Sequence, residues 1–258
     1  MKLSTTLVLA TSALAIAGIA KVSIAKPMAG GESQKPTIIL VHGAFADASG
    51  WGRVITLLEK DGYRVKAVQN PLTGIAEDVA TTKRMIEGCD GPVVVVGHSY
   101  GGAVITGAAA GEANVKSLVY IAAYGPEEKE ILGALNGKFG DSALATAVVP
   151  DKAGYLTIDP TKFHSVFCAD VAAPEARIMA LTQKPCNSVV FGSALDVAAW
   201  KTIPSWYMVA TEDKTIKPEL QRFMAKRMNA TVKEVKSSHV AFISHPSTVV
   251  KLIEDAAR

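Results

Sequence analysis

The stretch Val93-Val94-Val95-Val96-Gly97-His98-Ser99-Tyr100-Gly101-Gly102 limits the possible folds more than any other part of the chain. Four successive β-branched residues suit a strand covered on both faces, because a half-exposed strand alternates apolar and polar positions. The small residues from 101 to 110 suit a helix packed closely on its neighbours. Between the two lies Gly-x-Ser-x-Gly. That pattern alone is weak, arising by chance about once in ten chains of this length. Placed between a buried strand and a helix, it predicts a tight turn that holds Ser99 in strained dihedrals. Gly97 and Gly101 would then admit neighbouring backbone without a Cβ clash. The helix that follows would aim its N-terminal N–H groups at the site.

Strand and helix patterns alternate on either side of this turn. Residues 37–41 form a continuous apolar run and read as a buried strand. Residues 50–60 have helical spacing, with Asp61-Gly62 as the stop. A strand is expected at 63–68, a helix at 75–87 ended by Gly88, and a strand at 117–123. The alternation lapses over 127–200, which holds Pro150, Pro160, Pro174 and Pro185, several short helical patterns and little strand character. It resumes with a strand at 205–211, a helix at 218–228, a strand at 231–235 and a helix at 246–258. This order predicts an α/β fold: a mostly parallel sheet with helices on both faces, and a mainly helical cap inserted before the acid-bearing strand. The core is expected at 37–126 and 201–258, and the cap at 127–200.

The N-terminus is expected to lie outside that core. A basic start (Met1-Lys2), an apolar run from Leu7 to Ala20 and small residues at Ser23 and Ala25 have the layout of a secretory signal peptide over residues 1–25. The run is too short to span a membrane, which takes about 20 residues, and Lys21 interrupts it. Cleavage after Ala25 removes 25 of 258 residues and leaves 233, beginning with a linker at 26–36. It also removes Lys2 and Lys21 and no acid, taking the net charge from +3 to +1. The expected location is therefore the periplasm or the medium, with no stable membrane anchor after cleavage. So balanced a charge offers no polybasic surface for nucleic acid or anionic lipid. Export makes a disulfide conceivable. Cys168 and Cys186 lie in one irregular region and are the expected pair, with Cys89 a buried free thiol; three reduced cysteines are the alternative. No Cys/His spacing suggests a metal site, and no cofactor is expected.

A serine hydroxyl is a poor nucleophile unless a base accepts its proton, a carboxylate orients the base and N–H donors meet the oxyanion. The donors are expected at Ala44, in the loop after the first strand, and at Tyr100, next to Ser99. Gly43 would supply an unusual backbone angle there. His42 reads as a brace for that loop. The base should follow the nucleophile at a strand end, which selects His239 in Ser237-Ser238-His239-Val240. His98 precedes Ser99, His164 lies in the cap, and His245 reads as a helix-start residue. The acid is expected at Asp213, past the strand at 205–211, in preference to Glu212 or the cap residue Asp196.

These segments, Val41-His42-Gly43-Ala44-Phe45, Gly97 to Gly102, Val209 to Glu219 and Ser237 to Pro246, resemble in order those of the α/β-hydrolase superfamily. The closest likeness is to the small branch that includes plant methylesterases and hydroxynitrile lyases. The resemblance implies nucleophile, acid and base at Ser99, Asp213 and His239, and oxyanion donors at Ala44 and Tyr100. The lyases of this branch carry Lys after the catalytic His and Thr in the loop, where this chain has Val240 and Gly43. The expected activity is thus a serine esterase on small-molecule esters. Alternatives are a cofactor-free oxygenase or perhydrolase on the same fold, or a non-catalytic small-ligand-binding protein. Cap aromatics Phe139, Tyr155, Phe163, Phe167 and Phe191 are expected to wall an apolar pocket.

Overall fold

A computed structural model describes residues 35–258; the expected signal peptide and most of the expected linker lie outside the described residues. The apolar runs become strands that water does not reach. Ile38 to Val41 and Val93 to Val96 are completely buried. They belong to β1 (Thr37–Val41) and β3 (Val93–His98), adjacent and parallel near the centre of a six-stranded sheet. The others are β2 (Val65–Val68), β4 (Val115–Ile121), β8 (Ser205–Ala210) and β9 (Thr231–Val235), in the order β2-β1-β3-β4-β8-β9. Every neighbouring pair is parallel.

Burial of both faces requires cover on both. Helices α1 (Gly52–Lys60) and α9 (Pro246–Ala257) pack together, as do α2 (Ile75–Glu87) and α3 (Tyr100–Ala108). Helix α3 is buried on nearly every side, which its small residues permit. Helix α7 (Pro218–Arg227) packs on β8, and the short α8 (Ala241–Ser244) precedes α9. The register pairs Val41 with Gly97, so the loops after β1 and β3 leave the sheet side by side. Strand order reverses at this place, and open α/β sheets bind ligands beyond the carboxyl ends of such strands.

Between β4 and β8 the chain builds the cap, with α4 (Leu132–Asn136), α5 (Pro160–Phe167) and α6 (Ala173–Thr182). It also holds a small antiparallel sheet of β5 (Val148–Pro150), β6 (Tyr155–Ile158) and β7 (Cys186–Asn187). These strands are two to four residues long, too short for periodicity to register. The cap docks on the core through the Asn187 N–H, which donates to the Leu72 carbonyl at 2.9 Å, and the Thr215 hydroxyl, which donates to the Val166 carbonyl at 3.0 Å. Among the described residues no helix is long and apolar enough to cross a membrane.

The expected bridge between Cys168 and Cys186 is not formed. Both are buried free thiols, as is Cys89. Cys168 ends α5 beside Asp170 and Glu175, whereas Cys186 lies in β7 beside Asp78 and Lys184. Closeness along the chain did not make them neighbours in space. Burial pushes each thiol up to about 12, which leaves both unreactive at neutral pH.

Candidate active site

Strand β3 ends at His98, and Ser99 turns the chain into α3 with φ 54° and ψ −124°. A side-chain-bearing residue in that region is strained and persists only where its surroundings over-determine it. Three main-chain hydrogen bonds do so. The Ser99 N–H donates to the Ile121 carbonyl at 3.3 Å, and the Ser99 carbonyl accepts from Gly102 and Tyr124, both at 3.0 Å. Close approach explains the two flanking glycines. A Cβ on Gly97 would lie 2.6 Å from the Gly101 carbonyl oxygen, and one on Gly101 would lie 2.5 Å from that of Val41.

The loop after β1 presses on the same serine. A Cβ on Gly43 would fall 2.7 Å from the Ser99 Cβ. Gly43 does not adopt the unusual angle expected of it; the left-handed residue of this loop is Phe45, at φ 61°. Glycine is required at 43 for space. Among the described residues no hydrogen bond uses the N–H of Ala44 or Tyr100, so both donors are free.

Buried polar side chains fix these donors. His42 Nδ1 donates to the Gly43 carbonyl at 2.8 Å, and its Nε2 accepts the Asn70 N–H at 2.9 Å. Asn70 Nδ2 donates back to the His42 carbonyl at 2.9 Å. His42 is therefore a brace with an assigned tautomer, and burial pushes its pKa down to about 4. On the other side, the Tyr100 hydroxyl donates to Asp78 Oδ2 at 2.7 Å, while Asp78 Oδ1 accepts the Leu72 N–H at 2.9 Å. Burial raises the Asp78 carboxyl above its ordinary value. One loop, residues 69–74, thus steadies both donor-bearing segments, and the cap's Lys184 holds it through the Asn70 carbonyl.

The structure brings Asp213 and His239 together. His239 Nδ1 donates to Asp213 Oδ2 at 2.7 Å, which leaves the lone pair on Nε2. That Nε2 is buried and has no partner among the described residues. Asp213 Oδ1 accepts the N–H groups of Thr215 at 2.7 Å and Ile216 at 3.0 Å. Its Oδ2 also accepts Gln221 Nε2 at 2.7 Å. Gln221 holds Asp213 from the fully buried face of α7, with its Oε1 accepting the Ala210 N–H at 3.0 Å. His239 has no exposed surface, and Ser99 is 5% exposed.

His98 joins His239 to the turn. Its Nε2 donates to the His239 carbonyl at 3.0 Å, and the two rings lie 4.6 Å apart, centre to centre. Burial first, then the neighbouring His239, holds the His98 pKa well below the ordinary imidazole value. The rival candidates stand elsewhere. Asp196 pairs with Lys129 on the cap surface, Glu212 lies 3.6 Å from Lys236, and His164 donates to the Val171 carbonyl at 2.9 Å. His245 directly precedes α9. Among the described residues no group of three or more His, Cys, Asp or Glu is placed to hold a metal ion.

An apolar cavity of about 70 Å³ adjoins these residues. Phe45 and Val240, the neighbours of Ala44 and His239, line it together with Phe163, Phe167 and Phe242. Two of the five expected cap aromatics therefore contribute. Phe139 instead packs on Phe223, and Phe45 and Phe242 come from the core.

Asp213 and His239 thus pair beyond the carboxyl ends of β8 and β9, and the strained Ser99 follows β3. One family model, described as the alpha/beta hydrolase family, covers this whole arrangement of elements, matching residues 38–252. The chain belongs to the α/β-hydrolase family. It is 31% identical over 218 residues to the protein named "Probable hydrolase R7" from a Phoma species, covering 78% of this chain and 87% of that protein. It is 26% identical over 219 residues to Methylesterase 8 of Arabidopsis thaliana, covering 75% and 78%. Among solved structures, a pyrethroid hydrolase from Sphingobium faniae shares the fold with a TM-score of 0.75 at 24% identity, over 86% of this chain and 97% of that one.

Proposed function

We propose that this α/β-hydrolase is an exported serine esterase acting on small esters. The Ser99 hydroxyl attacks the ester carbonyl while His239 Nε2 takes its proton. Asp213 stabilises the imidazolium and keeps its tautomer. The N–H groups of Ala44 and Tyr100 receive the oxyanion. Collapse expels the alcohol, protonated by His239, and leaves an acyl-serine. His239 then draws a proton from water, which attacks the acyl group and frees Ser99.

One observation carries this reading: a buried His239 with an unpartnered Nε2, oriented by Asp213, in a fold that strains Ser99 beside two free N–H donors. The relatives named as esterases favour an ester substrate. The small apolar cavity favours a short acyl or alkyl group. Val240 stands where the related lyases carry lysine, which also favours hydrolysis.

The test is turnover of p-nitrophenyl esters of rising acyl length by wild-type protein and Ser99→Ala. Acetate and butyrate should be cleaved faster than decanoate, and Ser99→Ala should lose about 10³-fold or more in kcat. Equal behaviour of the two proteins on every ester would overturn the proposal. Export is tested separately by the intact mass of protein recovered from the periplasm or medium. It should begin at Lys26; an uncleaved chain held in the cytoplasm contradicts it.

A further inference from the structure

The cap and the loop that carries His239 meet at one carboxylate. Asp170 sits in the turn between α5 and α6. Its Oδ2 accepts the Ser237 hydroxyl at 2.8 Å, and its Oδ1 accepts the Ser238 hydroxyl in a short hydrogen bond. Both serines are buried, and they immediately precede His239. The Ser237 hydroxyl also lies 3.0 Å from the Ser238 carbonyl and 3.1 Å from the Ser244 hydroxyl, and the Ser244 hydroxyl lies 2.9 Å from His245 Nδ1. Three serine hydroxyls thus gather about a single cap carboxylate, which His245 Nδ1 approaches to 3.7 Å. Burial pushes the Asp170 carboxyl up, but the bonds from Ser238, Ser244 and Ser237 outweigh it and hold it below the ordinary value.

From the core side His239 is fixed twice, at Nδ1 by Asp213 and at its carbonyl by His98. The core also holds the Ser237 main chain, whose carbonyl accepts the Glu212 N–H at 3.0 Å, but the Ser237 and Ser238 hydroxyls both turn to the cap carboxylate. Hydroxyls on successive residues, taken by the two oxygens of one carboxylate, set the orientation of that dipeptide, and bonds to a charged acceptor are the stronger kind. We propose that Asp170 is a positioning residue: through Ser237 and Ser238 it sets the place of His239 relative to Ser99, so that the base is in register only while the cap is docked. This rests on the esterase reading above. It adds that the cap completes the catalytic geometry as well as shaping the pocket.

The experiment compares Asp170→Ala, Asp170→Asn, Ser238→Ala and the double variant Asp170→Ala/Ser238→Ala. Active sites are counted with a fluorophosphonate that labels Ser99, and kcat per labelled site is measured on p-nitrophenyl acetate. Counting sites removes the effect of misfolded protein. Asp170→Ala should lose about tenfold or more in kcat per site with KM within about twofold, because a misplaced base slows chemistry without weakening binding. Asp170→Asn, which keeps one acceptor oxygen, should lose less. The double variant should be no slower than Asp170→Ala, since both changes break the same tie. An unchanged kcat per site, a loss confined to KM, or a double variant slower by the product of the single losses would overturn the proposal. If wild-type protein neither labels nor turns over, the esterase reading fails, and hydrogen exchange reads the tie by itself. Amides of residues 237–241 should then exchange about tenfold faster or more in Asp170→Ala; equal rates overturn it.

Discussion

At the scale of single residues, the site depends on polar side chains placed where apolar ones would be expected. Buried Asp78 shares its helix face with Ile75, Thr82 and Ile86, and buried Gln221 shares its face with Leu220, Met224 and Ala225. Each breaks an otherwise packing stripe, and each reaches a residue of the proposed site: Asp78 the Tyr100 hydroxyl, Gln221 the Asp213 carboxylate. A buried carboxylate is costly when it loses a partner. Tyr100→Phe removes the one side-chain donor that reaches Asp78 Oδ2 among the described residues, and Leu72 remains on Oδ1. The variant should unfold about 1–3 kcal/mol more easily, read as a lower urea midpoint at unchanged slope. Adding Asp78→Asn should restore part of that, because a neutral amide is less costly than a carboxylate to leave half-paired. An unshifted midpoint for Tyr100→Phe would mean that the hydroxyl does not support the carboxylate.

At the scale of elements, legibility followed sequence range. The core strands and helices could be read because each one's apolar pattern lies within its own residues. Val93 to Val96 need no partner in order to look buried. The turn at Ser99 was legible for the same reason, as was the placing of Asp213 and His239 past strand ends, where the structure pairs them. Features made by distant pairing were not. Strand β6 pairs Leu156 with Cys186, and no local pattern in so short a strand announces it. The disulfide expectation failed in the same way, because proximity in an irregular segment was taken for proximity in space. Gly43 was singled out for the wrong reason: its contact is the Ser99 Cβ, supplied by a turn elsewhere in the chain, after β3. His98 was passed over because it precedes the nucleophile, and only the folded chain shows its ring holding the His239 carbonyl. Asp78 and Gln221 carried a usable signal, a polar residue on an apolar helix stripe, which points to a buried partner without naming it.

At the scale of the whole molecule, burying the site ties stability to pH. His42 and His98 are enclosed as neutral imidazoles, chiefly by burial, with His42 lowered to about 4. Below about pH 6.5 the unfolded chain protonates both residues and the folded chain does not, so protons favour unfolding. The stability that they contribute is complete above about pH 6.5 and is lost as pH falls toward their folded values. Each such histidine costs about 1.4 kcal/mol per pH unit within that window. Asp78 acts in the opposite sense. Its raised pKa lets the folded state bind a proton first, so its contribution is present at low pH and is lost as pH rises through the folded value. Carboxylates held below their ordinary values, such as Asp170 and Glu234, weaken the fold only at more acidic pH. Between pH 6.5 and 5 the two histidines therefore drive the change. The urea midpoint should fall steeply over that interval and stay nearly flat from 7 to 8. Since His42 braces the Ala44 loop and His98 holds the His239 carbonyl, the urea concentration that abolishes activity should fall over the same interval. A midpoint constant down to pH 5 would mean that one or both imidazoles become charged within the folded protein.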